Sequence, residues 1–145
     1  MSVLVTGSVA IDHIMVFEDL FKNHILPDQI HRLNVAFLVP SLEKRWGGTG
    51  ANIAFNLRIL GEDPALLATV GNDLGAYAQW LDDHGVRRDY LRVLDDAFTA
   101  QCFITTDRDS NQLIIFHPGA MERAHEASLA DVREEISMGI VSPNG

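Results

Sequence analysis

The sequence predicts an α/β fold from which a small β-sheet projects, and three observations lead there. Continuous apolar runs alternate with helical periodicity: Val3-Leu4-Val5, then residues 49–60 at helical spacing, then residues 64–70. Two other stretches, 33–39 and 98–116, are rich in β-branched and aromatic residues and interrupt that alternation. Finally, 145 residues with 47% hydrophobic content supply one ordinary core and not two, so the extra strands belong to the same domain, 1–145.

Taken in order, Val3-Leu4-Val5 ends at the turn signal Gly7-Ser8 and reads as a core strand covered on both faces. Residues 49–60 form a helix between Gly47-Gly48 and Gly61. A second buried strand, 64–70, follows. Asp73 is placed to cap a helix whose apolar stripe includes Tyr77, Trp80 and Leu81 and which Gly85 stops. Residues 98–116 read as a β-hairpin around the polar turn 107–111, residues 128–138 as an amphipathic helix, and Ile140-Val141 as the start of another strand. A strand at the very end of a parallel α/β chain lacks its partner element, so the expectation is a piece of a longer domain.

Charge and cysteine content narrow the function. A net charge of −9 repels polyanions, which argues against a nucleic-acid partner but not against a nucleotide held in a pocket. The single Cys102 excludes an intrachain disulfide and fits a reducing, cytoplasmic setting. The apolar opening run meets Asp12 too early for a signal peptide or a membrane span. The six histidines show no pairing at metal-ligand spacing, so no metal site is expected in this chain.

The most informative segment is Arg45-Trp46-Gly47-Gly48-Thr49-Gly50-Ala51-Asn52. Three glycines within four residues at a helix entrance allow a backbone to approach a ligand closely, or simply make a tight turn against a strand. The segment is not a P-loop, because no Gly-Lys-Ser/Thr follows. Asn52 and Asn56 share a helix face; Asn52, beside the glycines, is the ligand candidate and Asn56 the solvated one. Asp12 lies just past the first strand, where ligands collect in open α/β sheets; its carboxylate can accept bonds from adjacent sugar hydroxyls or close an Asx turn. Phe37, Phe103, Phe116 and Met121 are either core or the apolar wall of a pocket.

The order Gly7-Ser8-Val9-Ala10-Ile11-Asp12, Gly47-Gly48-Thr49-Gly50-Ala51-Asn52, Leu60-Gly61 and Val70-Gly71-Asn72-Asp73-Leu74-Gly75 resembles the N-terminal half of ribokinase-like (PfkB) carbohydrate and nucleoside kinases. His31-Arg32-Leu33-Asn34-Val35-Ala36-Phe37-Leu38-Val39 and Phe116-His117-Pro118-Gly119-Ala120-Met121 are similar to the bacterial adenosine kinase branch. The resemblance implies a three-layer α/β/α core, of which this is the N-terminal portion, with lid strands near 13–18, 31–39, 98–106 and 112–117. It implies that Asp12, Gly48 and Asn52 bind sugar hydroxyls, that Ser8 and Gly47 shape the pocket, and that Phe37, Phe116 and Met121 enclose the sugar or its base.

Where nucleoside-specific members stack an aromatic on the base near position 102, this chain has Cys102, and one register step aims Phe103 to the other face. The family's Gly-Ala-Gly-Asp anion hole has no counterpart, so no catalytic residue is expected here. The implied ATP and Mg²⁺ would be held mostly beyond residue 145, leaving the chain alone inactive. The expected activity is phosphorylation of a primary hydroxyl of a nucleoside or sugar by a homodimer paired through its lid. The alternative is a non-catalytic sugar- or nucleoside-binding module, or a fragment serving lid pairing.

Overall fold

The computed structural model describes residues 2–145. The chain runs β1 (Ser2–Thr6), β2 (Ala10–Val16), β3 (Leu42–Gly47), α1 (Thr49–Ile59), β4 (Asp63–Gly71), α2 (Gly75–Asp83), β5 (Arg87–Leu94), β6 (Ala100–Thr106), β7 (Gln112–His117) and β8 (Met138–Val141). Short 3₁₀ turns occupy Phe21–Asn23, Pro27–Arg32, Gly119–Glu126 and Leu129–Asp131.

These strands form two four-stranded sheets, a parallel core sheet ordered β5-β4-β1-β8 and a lid sheet ordered β3-β2-β6-β7. Within the lid, β2 runs parallel to β6 and antiparallel to β3, and β6-β7 is the expected hairpin. Buried Asp107 fixes that hairpin's turn: its carboxylate accepts from the backbone N–H of Phe21 (3.0 Å), Asp109 (3.0 Å) and Asn111 (2.8 Å).

One face of the core sheet packs Val3, Val5, Leu66, Ala68 and Val70 against Ala51 and Ala54 of α1 and Tyr77 and Leu81 of α2. Small residues on α1 let the helix lie close to the sheet, and complete removal of these side chains from water is the main stabilising term of the fold. The opposite face, through Leu4, Ala65 and Leu67, is covered by Tyr90, Ala127, Val132 and Ile136.

Several expectations need correction. Residues 31–39 are not a strand. Pro27 starts a 3₁₀ turn through Arg32, the free flank of β2 is taken by Leu42–Gly47, and Phe37 docks on Phe17 and Phe21 instead. Residues 128–138 are not a helix. The Ser128 hydroxyl caps a single 3₁₀ turn by accepting from Ala130 N–H (3.1 Å), after which Glu134 is drawn into ion pairs that hold the chain out of helical register.

Asp73 does not cap α2, because its carboxylate accepts from Thr99 N–H (2.7 Å) and the Gln101 amide (2.9 Å). Strand β5 has no counterpart among the expected elements. Its charges, Arg87, Arg88, Asp89 and Arg92, mask the run Tyr90-Leu91 and Val93-Leu94, as is usual on an edge strand.

Glu134 ties the ends of the chain together: it accepts from both terminal nitrogens of Arg87, from the Tyr90 hydroxyl (2.9 Å) and from the Ser2 hydroxyl (3.2 Å). These bonds lower its carboxyl from the ordinary 4.5 to about 2, with Arg87 the largest cause. A depressed carboxyl stabilises the fold fully above its unfolded pKa, and that contribution disappears as pH falls through the folded value. Glu134→Gln is therefore expected to lower Tm at pH 6, with the gap from the unsubstituted protein closing between about pH 4.5 and pH 2. Thermal melts across that range provide the check.

Candidate functional site

Both sheets meet where β1 passes into β2 and where β3 passes into α1. Gly7 and Gly50 touch there backbone to backbone: a β-carbon on Gly7 would lie 2.9 Å from Gly50 Cα. Ser8 caps α1 across this junction. Its hydroxyl accepts from Thr49 N–H (3.0 Å), and its carbonyl accepts from Gly50 N–H (3.0 Å) and Ala51 N–H (3.3 Å). The first-turn amides that a helix entrance offers to an anion are thus already satisfied within the protein. The glycines admit a second strand and a carboxylate, and the tight-turn reading of the glycine segment holds for these amides.

Gly48 has φ +92°, and a β-carbon there would lie 2.4 Å from the Ser8 carbonyl. A β-carbon on Gly47 would lie 2.3 Å from Asp12 Oδ2, so the Asp12 carboxylate rests directly on the Gly47 backbone. Among the described residues Asp12 accepts no hydrogen bond. Its half-burial raises its pKa, an effect only partly opposed by His13.

The register places four residues in one row across the lid: Arg45 on β3, Asp12 on β2, Cys102 on β6 and Phe116 on β7. Directly opposed residues share a face, so Phe116, 48% exposed, stands on the Asp12 side. Burial and the Asp12 carboxylate push the Cys102 thiol up, leaving it a neutral surface between them. Phe103 is one step out of register. It pairs with His13 and stacks on that ring at 4.5 Å, on the opposite face, as the alternation of strand side chains requires.

Asn52 lies one turn into α1, exposed, while the Asn56 amide donates to the Asn52 carbonyl (2.7 Å) and so serves the helix. Phe37 is not brought to this face. It joins Phe17, Phe21 and His24 in an aromatic cluster at the outer end of the lid, about 16 Å along β2 from Asp12 at the usual strand rise. Met121 sits beside the junction: residues 142–145 cross the carboxyl end of β1, with the Pro143 carbonyl accepting from Ser8 N–H (3.1 Å) and Gly145 against the Met121 carbonyl.

One contributor escapes the sequence reading. Tyr77 belongs to the apolar stripe of α2, as its spacing predicts, but its hydroxyl donates to the Gly47 carbonyl (2.7 Å). The signal is available in principle, because a buried tyrosine needs a partner for its hydroxyl.

A parallel α/β core bearing a lid sheet, with a carboxylate and glycines where the two meet, defines a ribokinase-like protein. The chain belongs to the pfkB family of carbohydrate kinases, whose family model matches residues 2–139. It is 30% identical over 105 residues to the nucleoside kinase of Methanocaldococcus jannaschii, a match spanning 71% of this chain and 35% of that protein. The nucleoside kinase of Burkholderia thailandensis, solved in complex with inosine, is 40% identical and superposes with a TM-score of 0.79, over 100% of this chain and 45% of that one. A ribokinase of Cryptococcus neoformans in complex with ADP is 26% identical, with a TM-score of 0.73 over 97% of this chain and 40% of that one. The chain thus covers less than half the length of each of these relatives.

Two glycines with positive φ separate conformational strain from crowding. A β-carbon on Gly61 (φ +91°) would meet nothing within 4 Å, whereas one on Gly48 (φ +92°) would be crowded by Ser8, Val9 and Ala10. Gly61→Ala should cost about 1 kcal/mol, and Gly48→Ala about 2–4 kcal/mol, in urea denaturation. Equal costs would mean that the junction tolerates a side chain.

Proposed function

We propose that the protein carrying this chain phosphorylates a primary hydroxyl of a nucleoside, or of a related sugar, using ATP and Mg²⁺, and that this chain supplies acceptor binding and the lid. The observation that carries this reading is Asp12. This partly desolvated carboxylate has no protein hydrogen-bond donor among the described residues, so its acceptor capacity is free for a ligand that brings donors. Two adjacent sugar hydroxyls supply them. Family membership and the inosine bound by the 40%-identical relative support a nucleoside over a free sugar as acceptor.

In this reading Asp12 and the Asn52 amide orient the sugar, Gly47 and Gly48 leave room for it, and Ser8 holds α1 in place behind them. Phe116 and Met121 cover the sugar or base, and the neutral Cys102 thiol lies on the same face. Phe37 contributes by anchoring the outer lid. Adenosine remains one candidate base-bearing acceptor, with Phe103 on the far face taking no part in stacking.

The α1 entrance does not fit a nucleotide phosphate, since Ser8 already occupies its amides, and the sequence contains no Gly-x-Gly-Asp. No phosphoryl-transfer step is assigned to this chain. Deprotonation of the acceptor and stabilisation of the moving phosphoryl are assigned to the remaining part of the family domain, so the chain alone is expected to bind acceptor weakly without turnover.

The lid also has a pairing edge. β3 presents Glu43, Lys44 and Arg45, which discourage strand addition, while β7 presents Leu113, Ile114, Ile115 and Phe116, all at least 40% exposed. We assign β7 to a homodimer contact. The free Cys102 thiol fits a cytoplasmic setting, and among the described residues no helix is long and apolar enough to cross a membrane.

Asp12→Asn in the complete protein should lower acceptor kcat/KM by the equivalent of about 2–5 kcal/mol with the ATP KM unchanged. It should leave Tm equal or higher, because a desolvated charge is removed and no internal bond is lost. A panel of nucleosides and sugars scored by ADP release reads the first, calorimetry the second. Unchanged kcat/KM for every accepted compound would sink the assignment. Because the Asp12 pKa is raised, acceptor KM should begin to climb on acidification at a higher pH than an ordinary carboxylate dictates. Ile115→Lys should convert a dimer to monomer in sedimentation while the fold persists; a dimer that survives places the contact elsewhere.

A further inference from the structure

From the geometry around α2 we propose that Tyr77 is a positioning residue for the acceptor site. The inference rests on the reading of Asp12 and Gly47 as that site. Tyr77 is 1% exposed and comes from the core helix, yet its hydroxyl and its ring both reach the end of the lid strand β3. The hydroxyl donates to the Gly47 carbonyl at 2.7 Å, and the ring stacks on Trp46 at 4.8 Å with planes 15° apart.

Gly47 is the residue on whose backbone the Asp12 carboxylate rests, so the phenol fixes the floor under that carboxylate from behind. The carboxylate in turn is close enough to push the phenol further up, beyond what burial alone does. Glycine gives this position no side chain with which to hold itself, and the next residue, Gly48, has the positive φ that opens the turn. A hydrogen bond to the carbonyl between them restricts the peptide plane on which Asp12 rests and which leads into α1. In a site that reads hydroxyl groups, displacements well under an ångström weaken recognition.

The separation of ring and hydroxyl makes the proposal testable. Tyr77→Phe keeps the stack on Trp46 and removes only the bond to Gly47. In the complete protein, Tyr77→Phe should raise the acceptor KM about five- to tenfold, the equivalent of one hydrogen bond, with the ATP KM within about twofold of the unsubstituted enzyme. Amide hydrogen exchange, measured without substrate, should show faster exchange confined to residues 47–52, with β4 and the C-terminal turn of α1 unchanged.

Unchanged acceptor KM in a folded Tyr77→Phe protein, or a uniform loss of protection across the core, overturns the proposal, the latter by showing a purely structural role. If the unsubstituted protein phosphorylates no acceptor, the functional reading fails. The exchange measurement then still decides whether Tyr77 pins Gly47: a local increase at 47–52 upholds the pinning, and none removes it. Tyr77→Leu, which loses the stack as well, should lower Tm; if it lowers Tm while matching Tyr77→Phe in acceptor KM, the hydroxyl and not the ring sets the site.

Discussion

Everything in this molecule depends on the contact between Gly7 and Gly50. The core sheet and the lid sheet are built by one chain that crosses from β1 to β2 and later returns from β3 to α1, and the two crossings must lie against each other. Backbones can meet that closely only where neither residue carries a β-carbon. Ser8 then satisfies the amides of α1 that the crossing exposes, using both its hydroxyl and its carbonyl. Without that junction the lid strands would be a separate sheet of marginal stability, since a small sheet with one wet face gains little from burial.

The same junction explains why a costly carboxylate can sit where it does. Asp12 lies near the start of β2, in register with Cys102 and Arg45 and pressed onto Gly47, so its desolvation follows directly from how close the two crossings lie. Arg45 would be the natural counter-ion across the ladder, but its guanidinium is held by Glu43 on its own strand. The carboxylate is consequently left with unused acceptor capacity facing the same side as Phe116. An apolar ring and a carboxylate with free acceptor capacity thus stand on one face of the lid.

The parts of this arrangement that are legible in the sequence are those governed by local rules. β1, α1, β4 and the β6-β7 hairpin follow from period, glycine stops and the polar turn at 107–111, and Asp12, Gly47, Gly48 and Asn52 are candidates named from strand position, glycine spacing and family resemblance. What is not legible depends on partners far away in the chain. Residues 33–39 carry β-branched and aromatic residues as a strand would, but the flank of β2 is taken by β3 and Phe37 is drawn onto Phe17 and Phe21. Residues 128–138 carry a helical pattern, but Glu134 has stronger partners in Arg87 and Tyr90. Asp73 has the look of a cap and instead serves Thr99 and Gln101, and Phe37 has the family's position but packs with Phe17. In each case a tertiary contact overrides a local preference that is itself read correctly.

The β4-α2 corner shows what kind of lid this is. Asp73 at its start holds Thr99 and Gln101, the Gln101 amide oxygen pairs with the His13 ring, and that ring stacks on Phe103, which secures the root of β6 to the root of β2. Tyr77, one turn later, secures the end of β3. Three of the four lid strands are therefore fastened to one corner of the core at the rows nearest the site. The fourth, β7, is held just past its end, where buried Ala120 accepts from the Thr69 hydroxyl (2.6 Å) and donates to the Phe98 carbonyl (2.8 Å), while the apolar residues of the strand stay exposed. All four lid strands are thus anchored at their roots, and the row of Arg45, Asp12, Cys102 and Phe116 lies at that anchored end of the sheet.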